Sequence, residues 1–297
     1  NLKKSRLADR VMDKPGIFRD FSDGFIYNNH PVLREHPDAL QIVGYYDELE
    51  VCNPLGSNHK LELIFFTPTN LNPQYRSNCK GIFLSTVTVI EKHGIDKVLE
   101  PLVDDLKFLA TTGISVTKGF VHAALLAFHD DNLASHYIGI NRNDILNTVS
   151  GFSVAKGLPQ DIMHDLLEGV LNFQLKLFIK HCIRSKYFVL QLNKRIKSFD
   201  YVHTLSNQKP PPSQRQIIPE CDVHYHYPLL VIKILAICLA PVVPDNVVAY
   251  LRVLIEEHHQ LFREICKDEN FIPKLHYLVY YPNQMLRHGP LVRSWTM

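Results

Sequence analysis

The chain has 297 residues, enough to bury one large core or two smaller ones. With 46% hydrophobic and 21% charged residues it has the composition of a globular protein, which excludes a disordered or fibrous chain. The 32 Lys and Arg against 30 Asp and Glu leave a net charge of only +2, so any affinity for a polyanion must come from local basic patches. Six scattered cysteines without a Cys-x-x-Cys pair read as free thiols of a reducing compartment, neither a disulfide framework nor a zinc site. No signal peptide is apparent, and the chain reads as a fragment because it begins at Asn1. The longest apolar run, Pro228 to Val243, carries Lys233 and a further proline, Pro241, and is too short to span a membrane.

In chain order, residues 1–37 are polar and mixed, an extension expected to be poorly ordered and then loop. Leu40 to Val51 forms a first strand, and Asn53-Pro-Leu-Gly-Ser-Asn58 a turn. Lys60 to Thr67 alternates as a second strand, Pro68 to Arg76 is a loop, and Gly81 to Ile90 is a third strand rich in β-branched residues. Val98, Leu99, Leu102, Val103, Leu106 and Leu109 recur at helical spacing over Asp96 to Leu109, with Pro101 in the first turn. Phe120 to Phe128 completes a βββαβ order as a fourth strand. From about Ser150 the pattern turns helical: Pro159 to Ile183 with a proline in its first turn, then Leu190 to Lys197, the loop Lys209-Pro-Pro-Pro-Ser213, and Leu229 to Leu239, whose length leaves helix and strand both open. Pro244-Asp-Asn246 opens a helix over Val247 to Cys266, and Lys274 to Arg287 is a last, tyrosine-rich helix. The expected division is 1–37 extension, 38–150 α/β core and 151–297 helical region.

Two acids stand out in this frame. Asp47 sits in the middle of an apolar strand, where a carboxylate is costly unless a cation neutralises it. Asp131 follows the fourth strand directly, with Asp130 as its adjacent competitor. Acids on the first strand and after the fourth, in a βββαβ order, are how an RNase H-like mixed sheet holds a pair of divalent cations, and hard carboxylate oxygens suit Mg2+ or Mn2+. The bland alternative is that Asp47 lies on a surface edge strand and Asp131 opens a turn. Asp161, His164, Asp165 and Glu168 share a stripe of the following helix; Glu168 could supply a third catalytic ligand, Asp161 and His164 could support the acids, and Asp165 reads as solvated. Lys186, Lys194, Arg195 and Lys197 interleave with aromatics and could contact nucleic-acid phosphates, although a solvated helix face explains each alone. The histidine pairs His224/His226 and His258/His259 lack metal-ligand spacing.

The runs Tyr45-Tyr-Asp-Glu-Leu-Glu-Val-Cys-Asn-Pro-Leu-Gly56, Asp131-Asn-Leu-Ala-Ser-His136, Gly157-Leu-Pro-Gln-Asp-Ile-Met-His-Asp-Leu-Leu-Glu-Gly169, Tyr250-Leu-Arg-Val-Leu-Ile-Glu-Glu-His-His259, Lys274-Leu-His-Tyr-Leu278 and Gly289-Pro-Leu-Val-Arg-Ser-Trp-Thr-Met297 resemble the transposases of animal CACTA-type (En/Spm-like) DNA transposons. The likeness runs from about Pro37 to the end. It implies a DDE enzyme that cuts and joins DNA at transposon ends by two-metal phosphoryl transfer, in the nucleus, with Asp47 and Asp131 as its first two acids and self-association as a further expectation. Asp161 and His164 resemble the Asp-x-x-His pair that follows the second acid in related superfamilies. The chain departs from the family by lacking a Cys-x-x-Cys stretch after Gly139 and a Trp- and Leu-rich helix near Pro210 to Tyr225. The family also continues past Trp-Thr-Met with an Arg-Phe-Glu that would carry the third acid; Glu168 is the alternative. The resemblance therefore implies a truncated or degenerate copy, catalytically incomplete, and leaves a non-catalytic DNA- or protein-binding relic as the alternative function.

Overall fold

The computed structural model describes residues 16–52, 58–76, 78–88, 94–117, 119–130, 144–182, 194 and 222–293. Its centre is a four-stranded mixed sheet made of β2 (Leu40–Cys52), β3 (Asn58–Pro68), β4 (Phe83–Thr88) and β7 (Ala123–Asp130). The spatial order is β4-β3-β2-β7. The β2–β3 and β3–β4 pairs are antiparallel, and β2–β7 is parallel. Asp47 therefore does not lie on an edge strand: β2 is hydrogen-bonded on both sides. The crossover that returns the chain from β4 to β7 contains helix α4 (Ile95–Thr111), as a parallel connection requires.

Alternation along β2 divides its side chains between two cores. Ile42 joins Ile64 of β3 and Leu125 and Phe128 of β7 beneath Leu99, Val103 and Leu106 of α4. Val43 and Tyr45 face the other way, with Phe65, Ala124, Leu126 and Ala127. Every residue from Ala123 to Phe128 is at most 2% exposed, the burial on both faces that a parallel strand between two layers demands. Gly44 leaves room for its cross-strand neighbour on β7: a Cβ there would stand 2.5 Å from the Phe128 ring. A bulge in the β2–β7 pairing accommodates Leu126, so Ile42 faces Leu125 while Val43 faces Ala127.

Several sequence expectations shift by an element. The fourth strand begins at Ala123, three residues later than its pattern suggested, because Ile114–Val116 (β5) and Gly119–Val121 (β6) pair as a separate hairpin. With α4 starting at Ile95, Pro101 stands in its second turn, on an exposed face where the missing N–H costs only one helical bond. Within Pro68–Arg76, read as loop, Pro73–Arg76 makes a single helical turn, α3. Residues 16–37 are structured as well: Ile17–Phe18 (β1), a 3-10 turn at Phe21–Asp23, α1 (Phe25–Asn29) and α2 (Pro31–Glu35), with Phe21, Val32 and Leu33 in the second core.

The helical half begins with the short α5 (Val154–Gly157) and a helix that opens at Ile162. Pro159 precedes it instead of occupying its first turn, because the Asp161 carboxylate caps the helix by accepting from the Met163 N–H at 2.7 Å. Residues Met163–Leu171 form a π-helix, continued by α6 (Asn172–Cys182). α7 (Asp222–Cys238) resolves the ambiguous apolar run as helix despite Pro228 inside it. β8 (Val243–Pro244), which pairs with β1, leads into α8 (Asp245–Ile265), opened by Pro244 as expected. The tyrosine-rich end is three pieces instead of one: α9 (Pro273–Tyr277), a 3-10 turn at Leu278–Tyr280 and α10 (Tyr281–His288), restarted at Pro282. Leu166, Val170, Leu230, Ile234, Leu251, Ile255, Phe262, Leu275 and Met285 close a third core among these helices.

Asp20 fastens the two halves together. Its carboxylate caps Phe21 and completes a capping box with Asp23. It also accepts from both terminal nitrogens of Arg76, each at 2.6 Å. Arg76 is 3% exposed, donates Nε–H to the Leu71 carbonyl, and lies over the Phe21 ring. On the opposite side Gly289, at φ +83°, brings its backbone so close that a Cβ would stand 2.3 Å from the Asp20 carbonyl oxygen. Arg293 donates to the Arg19 carbonyl at 2.9 Å. Replacing Arg76 by Met removes the partner of a half-buried carboxylate and should cost about 3 kcal/mol; urea unfolding checks this, and an unchanged midpoint would contradict the role given to the pair.

Candidate functional site

The site is built where β2 and β7 run side by side. Their parallel register sets Tyr45 opposite His129 and Tyr46 opposite Asp130, the last residue of β7. Asp47 is the next residue of β2 and is half-buried; alternation places it on the same face as Val43 and Tyr45. Asp131 lies outside the described residues. The strand pairing thus carries Asp47 to the end of the strand that precedes Asp131, across a separation of more than eighty residues in sequence.

The face that holds Asp47 also holds His129. Its ring is 4% exposed and stacks on Tyr45 with centroids 5.1 Å apart, while Tyr45 stacks in turn on Phe65 at 5.2 Å. Among the described residues, Nε2 of His129 is buried without a hydrogen-bond partner. Burial pushes its pKa down to about 4, and the nearby Asp161 carboxylate opposes that only in part, so the imidazole is neutral at pH 7.

Asp161 belongs to the helical half but meets the sheet here. Burial alone would raise its pKa; the hydrogen bond with His164, the attraction of His129 and the Met163 N–H outweigh burial and hold it below the usual carboxylate range. His164 Nδ1 lies 3.2 Å from Asp161 Oδ2, which fixes the ring with Nδ1–H donating. The expected Asp-x-x-His pair is thus formed, and it stands beside His129 on the strand that leads to Asp131. His288, at the end of α10, closes the cluster: Nε2 donates to the Lys156 carbonyl at 3.0 Å, and burial, reinforced by His129, lowers its pKa to about 4.

The π-helix changes which acids face inward. An α-helical count puts Asp161, His164, Asp165 and Glu168 on one polar stripe. The wider turn buries Ile162, Leu166, Val170 and Gln174 at four-residue intervals and turns Asp165 inward with them, to 7% exposure. Asp165 is therefore not the solvated residue its pattern suggested; its charge acts on Tyr277, whose pKa is raised by burial first and by Asp165 next. Glu168 is exposed on the outer side. Lys274 crosses the helix over Gly169, where a Cβ would stand 2.3 Å from its Cδ, and donates Nζ–H to the His164 carbonyl at 2.8 Å. Lys186, Arg195 and Lys197 lie outside the described residues, and Lys194 is helical and exposed. Among the described residues no three His, Cys, Asp or Glu side chains converge as a metal cluster. Asp47 supplies one hard oxygen donor of the kind magnesium takes, on a strand whose pairing leads to the second candidate. His258 and His259 are both buried, and His258 Nε2 contacts the Gln174 amide.

Sequence reasoning missed His129, His288 and Lys274. A lone histidine near the end of the apolar run Ala123 to Phe128 was a usable signal for His129. Nothing local marked Lys274, whose role exists only because Gly169 leaves room for it. No protein-family model matches the chain, and no curated protein matches it. No helix among the described residues is long and apolar enough to cross a membrane, and Cys79, Cys238 and Cys266 are free thiols.

The buried histidines give the chain a pH signature. A group whose folded pKa lies below its unfolded value contributes stability that is complete above the unfolded value and lost as pH falls through the folded one. For His129 that window runs from about 6.5 down to about 4, and by pH 5 the loss is about 2 kcal/mol. The thermal midpoint should fall between pH 7 and pH 5, and His129→Phe, which can keep the stack on Tyr45, should reduce that fall. Equal pH dependence in both proteins would show that His129 accepts protons in the folded state.

Proposed function

We propose that this chain derives from an RNase H-like, DDE-type enzyme that cuts and joins DNA by phosphoryl transfer, with a nuclear site of action. The observation that carries the reading is the parallel pairing of β2 with β7. It sets the strand bearing Asp47 beside the strand leading to Asp131, with the Asp161–His164 pair packed against His129 at the same end. The strand order β4-β3-β2-β7, with only the last pair parallel, is compatible with such a fold. The likeness of the short runs around Asp47, Asp131 and Asp161 to CACTA-type transposases supports it independently.

Magnesium or manganese, held by Asp47 and Asp131, would supply charge neutralisation at the phosphoryl oxygens and activation of the attacking oxygen. The chain's own residues set the stage for that. Tyr45 and His129 form a dry, stacked floor beneath Asp47's end of the sheet. Asp161 stays ionised beside His129 and orients His164. Lys274, bonded to the His164 carbonyl, fixes the helix that carries this pair.

A second reading, DNA or protein binding without cleavage, has one observation in its favour: Glu168, a candidate third acid, points to solvent on the outer side of the π-helix. A magnesium-dependent nicking and end-joining assay on transposon-end DNA separates the two. The catalytic reading expects activity that Asp47→Asn lowers at least about a hundredfold. Activity undiminished in Asp47→Asn would exclude this site, and DNA binding without cleavage at any metal concentration would favour the relic.

A further inference from the structure

A groove of about 340 Å³ lies far along the chain from these acids, between α8 and α10. That volume is within the range of small-ligand sites. Its floor is apolar and aromatic: Ile255 and His259 from α8 and Pro282 from α10 are all buried. Its rim is cationic. Arg252 and Arg263 are exposed at its two ends, three helical turns or about 16 Å apart along α8. Among the described residues neither guanidinium is paired with a carboxylate; Arg252 is steadied by the Asn283 amide oxygen at 3.1 Å, and Arg263 lies 5.8 Å from the centre of the Phe271 ring. Phe271, 37% exposed, flanks this end of α8 and meets His259 edge-on at 5.0 Å. One carboxylate, Glu256, stands between the two arginines.

We propose that this groove holds a short stretch of an unpaired nucleic-acid strand, a base against the His259 side and phosphates several positions apart on Arg252 and Arg263. Three features select that ligand. The cations are too far apart for one small phosphate to engage both, but about 16 Å matches a strand that carries a phosphate every few ångströms. A cation beside an aromatic face is the pairing that unpaired bases use. The floor between the cations is apolar and suits a base or sugar better than a second charge, and Glu256 disfavours any phosphate placed midway. The groove uses none of the residues of the proposed cleavage site, so its binding is measurable without magnesium and irrespective of catalysis.

The test is fluorescence anisotropy of a labelled oligothymidine strand with the whole chain in EDTA, across a salt series, with thymidine monophosphate as competitor. Wild type should bind with a salt-dependent affinity. The double variant Arg252→Gln/Arg263→Gln, both changes at exposed positions, should bind at least about tenfold more weakly, and its salt slope should shrink by about 1.4, the value for two lost contacts to a single strand. Glu256→Gln should bind more tightly than wild type. The free mononucleotide, able to reach only one arginine, should compete poorly; competition as strong as that of the oligonucleotide would assign the groove to free nucleotides and overturn the strand proposal. Absence of oligonucleotide binding, or binding with unchanged affinity and slope in the double variant, would also overturn it.

Discussion

One backbone pairing governs the site: β2 runs parallel to β7, paired from Leu40–Ala123 to Tyr46–Asp130 with one register shift at the bulge between Ile42 and Val43. A parallel pair cannot be made by a hairpin; it needs a crossover, and the crossover here delivers α4 to one face of the sheet. The same register forces β7 to be buried on both sides, which is why Ala123 to Phe128 is almost purely apolar and His129 is the first polar residue along it. A slip of β7 by one residue would turn His129 to the other face, away from Tyr45 and Asp47. The bulge at Leu126 absorbs the mismatch between the two strands and keeps His129 stacked on Tyr45.

Around that pairing the helical half contributes charge and rigidity. Asp161 caps the start of the π-helix beside His129 and orients His164, and Lys274 ties α9 back onto the same helix. The N-terminal segment 16–37 fits between the halves, with Asp20 bonded to Arg76 on the sheet side and packed against Gly289 on the helical side. Neither half closes the site alone: the stacked floor belongs to the sheet, and the ionised carboxylate with its imidazole belongs to the helices. The cost of that arrangement is a set of buried, neutral histidines, His129 and His288 among them, which couples folding to pH.

Much of this was legible in the sequence, and the failures have specific physical causes. Alternation found β2 and β3 nearly to the residue, and helical periodicity found α4 and α8, because each buries one continuous face. The fourth strand was placed early because Phe120 and Val121 belong to the β5–β6 hairpin, whose apolar residues look like strand on either side of the turn. The acidic stripe on the long helix was misread at Asp165 because an α-helical count of 3.6 was applied to a π-helical segment. Asp161 and His164 do share a hydrogen bond, because Asp161 precedes the π-helical segment and caps its start. The partners that position them, His129 and Lys274, come from strands and helices far away in sequence, and no local pattern encodes such distances.

The proposed function requires that Asp47, carried to this end of the sheet by the β2–β7 pairing, hold a cation within reach of His129 and His164. Adding Mn2+ at equimolar concentration while following the imidazole NMR signals addresses it directly, because the paramagnetic ion broadens only nearby groups. The account expects selective loss of the His129 and His164 signals, abolished in Asp47→Asn while the fold is retained. Uniform sharp signals in the presence of the ion, or the same broadening in Asp47→Asn, would contradict it.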